Sequence, residues 1–314
     1  MAFTHKGVFL FKERVLIIIL FFLGCTSHFG QDYVNILRLY GQYSPDAEYN
    51  DGIGKTDLKE FGTRILLPVP LKNDRVLLPG LFFEKVQGKL SPNHIESTTV
   101  YTITPQIGMQ FKYSEQWKAN YILMPSINSD LENLDSDDMQ LGAICLFTKT
   151  KSETLNFQYG LYVNTEVYGL NVLPLVGMYY ISDTRKFEAD LFLPVYFDLN
   201  YRLDNKLRLG IQYLGRGTTH NLNSYGTDKS GYYLEKGSQD LYAYIEVPLM
   251  KDWVIQGMIG HSFGRYYEVY DRDEKLDWAI GSILFGDDRE QVNGDISDGL
   301  VVKFKLIYRY PLKK

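Results

Sequence analysis

The feature that most constrains this fold is a strict alternation of apolar and polar residues, clearest between residues 187 and 201. Every odd position from Phe187 to Tyr201 is apolar or aromatic, whereas four of the seven even positions carry charged or amide side chains. Residues two apart share one face of a β-strand, but they scatter around a helix. The segment therefore predicts a strand with one apolar face and one polar face.

The same period of two recurs from residue 33 onward. In the final segment, positions 302, 304, 306, 308 and 310 are apolar or aromatic, and Lys303, Lys305 and Arg309 lie between them. Short polar turns separate many segments, and longer polar loops are predicted at 44–59, 88–97, 128–138, 218–238 and 286–299. Alternating segments joined by such turns predict antiparallel hairpins and an all-β fold.

Composition excludes several other classes of protein. Only one stretch of the 314 residues, near the N-terminus, is strongly apolar, so a bundle of membrane-spanning helices is excluded. Aromatic residues make up 15% of the chain, which argues against disorder. The net charge of -5 gives no basic footprint, and we expect no nucleic-acid partner.

The N-terminus has the pattern of a targeting segment. Lys6, Lys12 and Arg14 precede or open the apolar run Val15–Leu23, which is too short to span a bilayer as a stable helix. We predict a cleavable signal peptide over residues 1–30 and one barrel domain over residues 31–314. Lipidation at Cys25 after an earlier cut, or an uncleaved anchor, would also fit this pattern.

Two all-β architectures fit strands with one apolar face. A soluble sandwich or barrel buries that face, whereas a transmembrane barrel turns it toward lipid and keeps a polar interior. We favour a transmembrane antiparallel β-barrel because the 187–201 segment exceeds the about 5–6 residues of a typical globular strand, and because short turns coexist with long loops. Aromatic residues near strand ends resemble an interfacial girdle: Trp117, Tyr121, Trp253, Tyr308 and Tyr310.

The alternating segments predict 12–14 strands. Fourteen result if 187–201 and 275–285 each form one strand, but the long loop 218–238 then falls on the side of the short turns. Splitting 187–201 at Pro194 and assigning 275–285 to a loop also gives fourteen, and dropping two segments gives twelve. All of these counts keep the even number that such barrels require.

Proline recurs within the predicted strands. Because proline lacks the backbone donor that a ladder needs, we expect each one to mark a bulge, an edge or a strand end. The prolines concerned are Pro68, Pro70, Pro79, Pro105, Pro125, Pro174, Pro194 and Pro248.

The chain resembles outer-membrane β-barrel proteins of Gram-negative bacteria, and more narrowly the uncharacterised barrel families of the Bacteroidota. The resemblance rests on the signal, on Gln31 at the predicted mature start, on LPxP-like strand breaks and on the terminal VKFKLIYRY. It implies location in the bacterial outer membrane, contact with its lipid, and recognition of the final strand by the barrel-insertion machinery. Phe304, Leu306, Tyr308 and Tyr310 match the alternate aromatic or apolar positions of such a final strand.

The polar face of the strands is the candidate functional surface. We predict that it lines the lumen, and two interpretations stay open: salt bridges that fill a narrow lumen, or a small polar pore that passes a small polar solute. A narrow passive channel or solute transporter, without enzymatic activity, is the function predicted. The predicted lumen-facing residues are Arg64, Glu188, Asp190, Asp198, Arg208, Lys303, Lys305 and Arg309.

A lipid-acting hydrolase at the barrel rim is one alternative function. His261 and Ser262 lie near a strand end, and Asp271 and Asp273 follow, which could supply a catalytic set. Strand alternation, however, predicts that His261 and Ser262 lie on opposite faces. A soluble or lipidated β-barrel binding protein is the other alternative.

Metal and cofactor sites are not predicted. The acidic loops near residues 130–138 and 287–298 lack the spacing of a calcium-binding loop. His94 and His220 lie in predicted polar loops, where we expect them to be solvated.

Overall fold

The computed structural model describes residues 33–50, 54–92, 96–225 and 231–311. The predicted signal peptide, its alternative processing site at Cys25, and His94 lie outside these residues. Among the described residues, the one helical element is the single turn Ser136–Asp138, and no helix is long and apolar enough to cross a membrane.

Eighteen strands make up one sheet. Their bounds are β1 (Tyr33–Glu48), β2 (Lys55–Leu66), β3 (Val69–Pro70), β4 (Arg75–Leu77), β5 (Gly80–Gly88), β6 (Thr98–Lys112), β7 (Trp117–Ser129), β8 (Met139–Thr150), β9 (Leu155–Glu166), β10 (Gly169–Ile181), β11 (Phe187–Leu193), β12 (Tyr196–Arg202), β13 (Arg208–Leu222), β14 (Tyr232–Met250), β15 (Trp253–Asp271), β16 (Trp278–Ile280), β17 (Ile283–Phe285) and β18 (Gly299–Pro311).

The sheet closes on itself as an antiparallel barrel. β1 pairs with β2 on one side and with β18 on the other, from Tyr33 opposite Pro311 to Tyr43 opposite Val302. Fourteen strands form the wall, because β3–β4 only extends a turn and β16–β17 is a small hairpin within a loop. The predicted all-β barrel is confirmed, with fourteen strands. Closure leaves no free sheet edge around most of the wall.

The second of the predicted strand counts is the one observed. The segment 187–201 is not one strand but the hairpin β11–β12, which turns at Pro194 and Val195, and 275–285 lies outside the wall. Phe187 pairs with Tyr201 and Phe192 with Tyr196, so partners always differ by an even number of residues. Even positions therefore face the same side in both strands, which is why the alternation looked uninterrupted.

The two ends of the barrel differ. The turn end carries the short turns and both ends of the described chain. The loop end carries the long connections, including 272–298 between β15 and β18. This distribution is typical of outer-membrane barrels, in which short turns face the periplasm.

The outer and inner faces of the wall follow the predicted alternation. Large apolar side chains are exposed on the outside, among them Ile107, Ile259 and Phe304, which is 63% exposed. Inward positions carry mostly polar side chains, and many of these are buried. The apolar face therefore points away from the lumen.

The prediction of a polar loop over residues 218–238 is wrong. β13 extends to Leu222 and β14 starts at Tyr232, and the loop-end parts of these strands turn inward together with that of β15. We call residues 215–222, 232–238 and 265–271 the crossing sheet. Its two faces are both buried, because one packs on the inner wall of β1, β2, β5 and β6 and the other on loop 272–298.

The bend into the crossing sheet occurs at glycines. β15 follows β18 only as far as Ser262, and Gly264 has a φ of +51° in the left-handed region that glycine adopts most readily. The β14–β15 ladder shifts by a residue at Gly237, where an added Cβ would come within 2.5 Å of the Tyr266 ring. A bulge of this kind bends a strand and redirects its side chains.

The short β11–β12 hairpin interrupts the wall near its loop end. β10 pairs with β11 only over Val176–Ile181, and β16 pairs in parallel with Asn171 and Val172 above it. Pro174 lies between these two pairings, where neither β11 nor β16 pairs with β10 and no backbone donor is needed. Pro105 and Pro125 fall in a similar gap between β6 and β7. These prolines occupy the edge and gap positions that the sequence predicted.

Candidate functional site

The first part of the site is a charged network near the turn end. Arg208 contacts Glu188 at 3.1 Å and Glu246 at 3.6 Å, and its Nη1 donates to the Tyr33 hydroxyl. Arg309 binds both carboxylate oxygens of Glu246, at 2.5 and 2.6 Å. Such bidentate pairs fix the geometry of both side chains. This network links β11, β13, β14, β18 and β1 along one side of the lumen.

The other predicted lumen residues continue this side toward mid-height. Asp198 accepts hydrogen bonds from Gln212 at 2.7 Å and from Tyr244 at 2.8 Å, and Asp190 pairs opposite Asp198 in the ladder. Lys305 donates to Gln212 at 2.5 Å.

Two further predicted cations lie against aromatic rings. The Lys303 ammonium lies 4.4 Å from the centre of the Tyr40 ring and donates to Gln42 at 3.0 Å. The Arg64 guanidinium lies 5.3 Å from the centre of the buried Phe82 ring. All eight predicted residues thus occupy inward positions, and most of their partners are on nearby strands. Their part in solute passage stays a prediction.

Sequence reasoning missed the residues that connect opposite sides of the barrel. Arg216 on β13 contacts Glu60 on β2, Glu84 on β5 at 3.4 Å and Asp240 on β14 at 2.8 Å. Lys236 contacts Glu84 at 2.7 Å. Because β2 and β5 are far from β13 around the wall, the ion pairs with Glu60 and Glu84 cross the lumen, whereas Asp240 is on the strand adjacent to β13. The only local signal was an arginine flanked by Gly215 and Gly217.

The tip of β13 reaches the wall directly across the barrel. His220 and Thr102 of β6 share a hydrogen bond of 2.9 Å, and Asn221 forms a single parallel bridge with Ser129 of β7. His220 is fully buried, so the expectation that it is a solvated loop residue is wrong. It is buried because the strand that carries it lies across the lumen rather than outside it.

Thr219 anchors the same tip to two more wall strands. Its backbone N–H and hydroxyl both donate to Glu166 on β9, at 2.9 and 2.6 Å, and it accepts from Gln140 on β8 at 3.0 Å. Buried polar groups must find such partners to avoid a large desolvation cost. Thr219, which reads as a loop residue in the sequence, therefore has its partners inside the barrel. The Nδ1 of His220 and the side-chain amide of Asn221 are buried without a partner among the described residues.

Loop 272–298 contacts the face of the crossing sheet that does not pack on the inner wall. Arg289 contacts Glu235 of β14 at 2.7 Å, and its guanidinium lies 4.1 Å from the centre of the Tyr270 ring. Burial opposes its charge, but its hydrogen bond to Asp287 and the nearby Glu235 carboxylate raise the pKa of Arg289 above the ordinary value. The loop therefore presents a fixed positive charge to the crossing sheet.

The lumen is different on its other side. Strands β7 to β10 and the β11–β12 hairpin bring a buried apolar cluster to the inner wall, which includes Met124, Leu146, Leu175 and Phe192. Amide and hydroxyl side chains lie on either side of it, such as Gln158 toward the turn end and Asn164 toward the loop end. Charged and mainly uncharged surfaces thus face each other across the lumen.

A cavity of about 60 Å³ lies between these surfaces, against the crossing sheet. Glu60, Glu84, Arg216 and Lys236 line it on one side. Thr102, Ser126, Asn128, Met124, Tyr162 and Asn164 are among the residues on the other side.

The geometry at the proposed hydrolase residues does not form a catalytic set. Ser262 is buried in the lumen and donates to Asp240 at 2.6 Å, whereas His261 is exposed on the outer face and packs on the Phe263 ring. A nucleophile and its base must be within hydrogen-bond reach. Within the described parts of the chain, no group of three or more His, Cys, Asp or Glu residues could hold a metal ion.

A closed barrel of fourteen antiparallel strands, apolar outside and polar inside, is a barrel of the outer-membrane type. A family model, described as a domain of unknown function (DUF6268), matches residues 41–276, and the chain belongs to this family. The narrower likeness to Bacteroidota proteins stays a prediction. None of the curated proteins compared with the chain matches it.

Solved structures of similar fold are outer-membrane barrels. An outer-membrane channel from Pseudomonas putida F1 is 10% identical, with a TM-score of 0.44 over 91% of this chain and 99% of that one. The toluene transporter TodX of Pseudomonas putida is 10% identical, with a TM-score of 0.37 over 94% and 96%. The NanC porin is 9% identical, with a TM-score of 0.31 over 87% and 100%. These likenesses concern the fold alone.

Proposed function

We propose that this protein is an outer-membrane channel for small solutes and that the crossing sheet closes it in the conformation described. One observation carries the proposal: the loop-end halves of three wall strands leave the wall and contact the opposite side of the lumen. The apolar outer face fits a lipid environment, and the polar inner face fits an aqueous path.

The way in which the crossing sheet is held supports a closure that can be released. Its tip forms a single residue-pair bridge with the opposite wall, at Asn221 and Ser129, and one further backbone hydrogen bond from Asp130 to Asn221. Its polar side-chain contacts with the opposite wall are hydrogen bonds and ion pairs, which water can replace one at a time. Apolar packing of residues such as Leu222 and Val269 on the inner wall adds to them. A full β-ladder would oppose such a movement much more strongly.

The proposal includes the predicted partners and location. The outward apolar residues contact outer-membrane lipid, the insertion machinery recognises the final strand, and the transported molecule is a small solute. No enzymatic activity is proposed, because His261 and Ser262 lie on opposite faces of the wall.

Locking the bridge tests the proposal. Ser129→Cys and Asn221→Cys would be combined in a chain whose two cysteines, Cys25 and Cys145, are replaced by serine. Directly paired backbone positions meet the distance that a disulfide requires. In planar bilayers, we expect conductance to be low while the disulfide is intact and to increase after reduction.

The matched control is a disulfide that stays within the wall. Gln110 and Asn120 face each other on β6 and β7, and their side chains share a hydrogen bond of 2.9 Å. A Gln110→Cys, Asn120→Cys pair should leave conductance unchanged by oxidation. Equal conductance of the oxidised and reduced Ser129–Asn221 variant would show that the crossing sheet does not control passage.

A further inference from the structure

Three lysines cluster on the outer side of the wall, at the loop end of β2 and β5. Lys59 lies on β2, Lys85 lies on β5, and Lys89 directly follows β5. Residues next to them in the chain, such as Glu60, are buried inside the barrel, so the lysines point outward. In the ladder between the two strands, Lys59 is opposite Gln87. We call Lys59, Lys85 and Lys89 the lysine cluster.

The lysine cluster lies at the loop-end edge of the apolar outer surface. From Lys59 toward the turn end, the alternate positions on the outer face carry uncharged side chains: Phe61, Thr63, Ile65, Leu67, Val69 and Leu71. About ten residues at about 3.3 Å each, tilted by about 40°, span about 25 Å, which is the height of the apolar band of outer-membrane barrels. The lysines are therefore placed where the headgroup layer would begin. From this position, a lysine can cover apolar surface with its stem and extend its ammonium group among the headgroups.

The lysines are confined to one sector of the wall. On other strands, the outward positions near the loop end carry uncharged side chains, namely Leu141 on β8, Val163 on β9, Leu170 on β10, Phe263 on β15 and Leu300 on β18. A general attraction to an anionic membrane surface would be served by lysines distributed around the barrel. Their concentration on two adjacent strands instead indicates a local site.

Acidic groups beside the lysine cluster are already engaged elsewhere. Glu48 forms an ion pair of 3.0 Å with Lys55. Asp57 accepts hydrogen bonds from the Tyr43 hydroxyl at 2.9 Å and from the backbone N–H of Asp46 at 3.2 Å. Within the part of the chain that the structure describes, no member of the lysine cluster forms an ion pair. Its positive charge is therefore available to an anionic ligand.

An open groove of about 360 Å³ lies beside the lysine cluster, on the outer side of the barrel. Three lysines and two aspartates line it, and the side chains of Gln87 and Ser97 add hydrogen-bond donors. Ammonium, amide and hydroxyl groups together are suited to the several acceptor oxygens of a phosphate. Phe61 and Leu81, on the same two strands toward the turn end, are exposed and apolar. A free anion would make no use of this apolar surface, whereas a lipid would.

We propose that the lysine cluster and its groove bind the phosphorylated headgroup of an outer-leaflet lipid, whose acyl chains lie along the apolar wall below. The inference rests on the membrane location in the proposed function, but it does not depend on the crossing sheet. Lipid binding and closure are measured separately, by thermophoresis and by conductance. A loss of lipid binding with an intact disulfide effect would overturn only the inference, and the reverse result would overturn only the closure.

Microscale thermophoresis on the full chain in detergent micelles tests the inference. The probes are bisphosphorylated lipid A, the same lipid without its phosphates, and inorganic phosphate. We expect lipid A to bind, its dephosphorylated form to bind much more weakly, and inorganic phosphate in large excess to leave lipid A bound. Equal binding of both lipid forms would overturn the inference. Displacement of lipid A by inorganic phosphate would assign the site to a free anion and would also overturn it.

Variants place the bound lipid at the lysine cluster. Lys59→Gln combined with Lys89→Gln removes two charges from the groove and should weaken lipid A binding by at least about tenfold. The matched control removes two charges at the turn end, by Lys149→Gln combined with Lys151→Gln. Lys149 also points outward, with its ammonium 5.4 Å from the centre of the Trp117 ring. The control should bind lipid A as the unmodified chain does.

Circular dichroism melting curves would show whether each variant folds, and the single Lys59→Gln variant carries the test if the double variant does not. Equal weakening by the groove variant and the turn-end control would show attraction by net charge alone, which contradicts the inference. Unchanged binding in a folded groove variant would contradict it as well.

Discussion

Strand β13 has two halves with the same backbone pairing and different surroundings. Its ladder with β14 runs from Arg208 to Leu222 without a shift in register. In the wall half, Ile211 is 50% exposed outward and Gln212 is buried inward, whereas in the crossing half Thr219 to Asn221 are all fully buried. Alternation is therefore a property of what lies on each side of a strand, and it disappears where protein covers both faces.

The two halves also use arginine differently. Arg208 in the wall half contacts carboxylates on nearby strands, while Arg216 in the crossing half contacts carboxylates on the far side of the lumen. Both side chains are buried and both have several partners. The first set of contacts joins strands of the wall, whereas the second joins the crossing sheet to the opposite side of the lumen.

The largest effect is expected from Arg216→Ala, which removes the ion pairs of the crossing half of β13. The substitution leaves Glu60, Glu84 and Asp240 without their shared cation, and loss of one partner of a buried ion pair costs about 3–5 kcal/mol. We expect higher conductance and cation selectivity, measured by single-channel recording and by the reversal potential. Arg208→Ala is the control and should destabilise the barrel without opening it. Equal conductance changes in both variants would remove the distinction between the halves.

Packing of the crossing half is tested by truncating leucines of one strand. Leu222 is 1% exposed between the crossing sheet and the inner wall, and Leu209 is 40% exposed on the outer face. Leu222→Ala should lower the free energy of unfolding by about 2–5 kcal/mol because it leaves a cavity. Leu209→Ala leaves none and should cost less, as measured by denaturant titration. A larger loss for Leu209→Ala would contradict the buried position of the crossing half.

The bend between the halves is tested at Gly264. A β-branched residue is strained at a φ of +51°, and Gly264→Val should cost about 1–2 kcal/mol or release the crossing sheet. Gly257 on the same strand lies in the wall half, where the nearest neighbour of an added Cβ would be Phe304 at 3.8 Å. Gly257→Ala is therefore expected to be almost neutral in melting curves. Equal tolerance of both substitutions would argue against a required bend.

The smallest effect is expected at the rim, where Lys55 and Glu48 form an exposed ion pair of 3.0 Å. Exposed pairs contribute about 0–1 kcal/mol. Lys55→Ala should leave both the conductance and the unfolding midpoint nearly unchanged. A rim substitution as costly as Arg216→Ala would mean that burial does not explain the role of the crossing ion pairs.

The alternation in the sequence was sufficient to predict the all-β barrel, its polar interior and the inward positions of residues such as Glu188 and Lys303. It was also sufficient to place a possible strand break at Pro194. It could not choose between the strand counts, because partners in the β11–β12 hairpin keep the same parity and the pattern continues through the turn.

The crossing sheet was beyond the reach of the sequence alone. The run from Thr218 to Asn221 is polar, and polar runs between alternating segments normally indicate solvated loops. Only the tertiary structure brings Glu166, Thr102 and Gln140 to these residues from strands far away in the sequence. Local pattern thus determined which residues face inward, whereas the position of the crossing sheet depended on hydrogen-bond partners that only the folded barrel supplies.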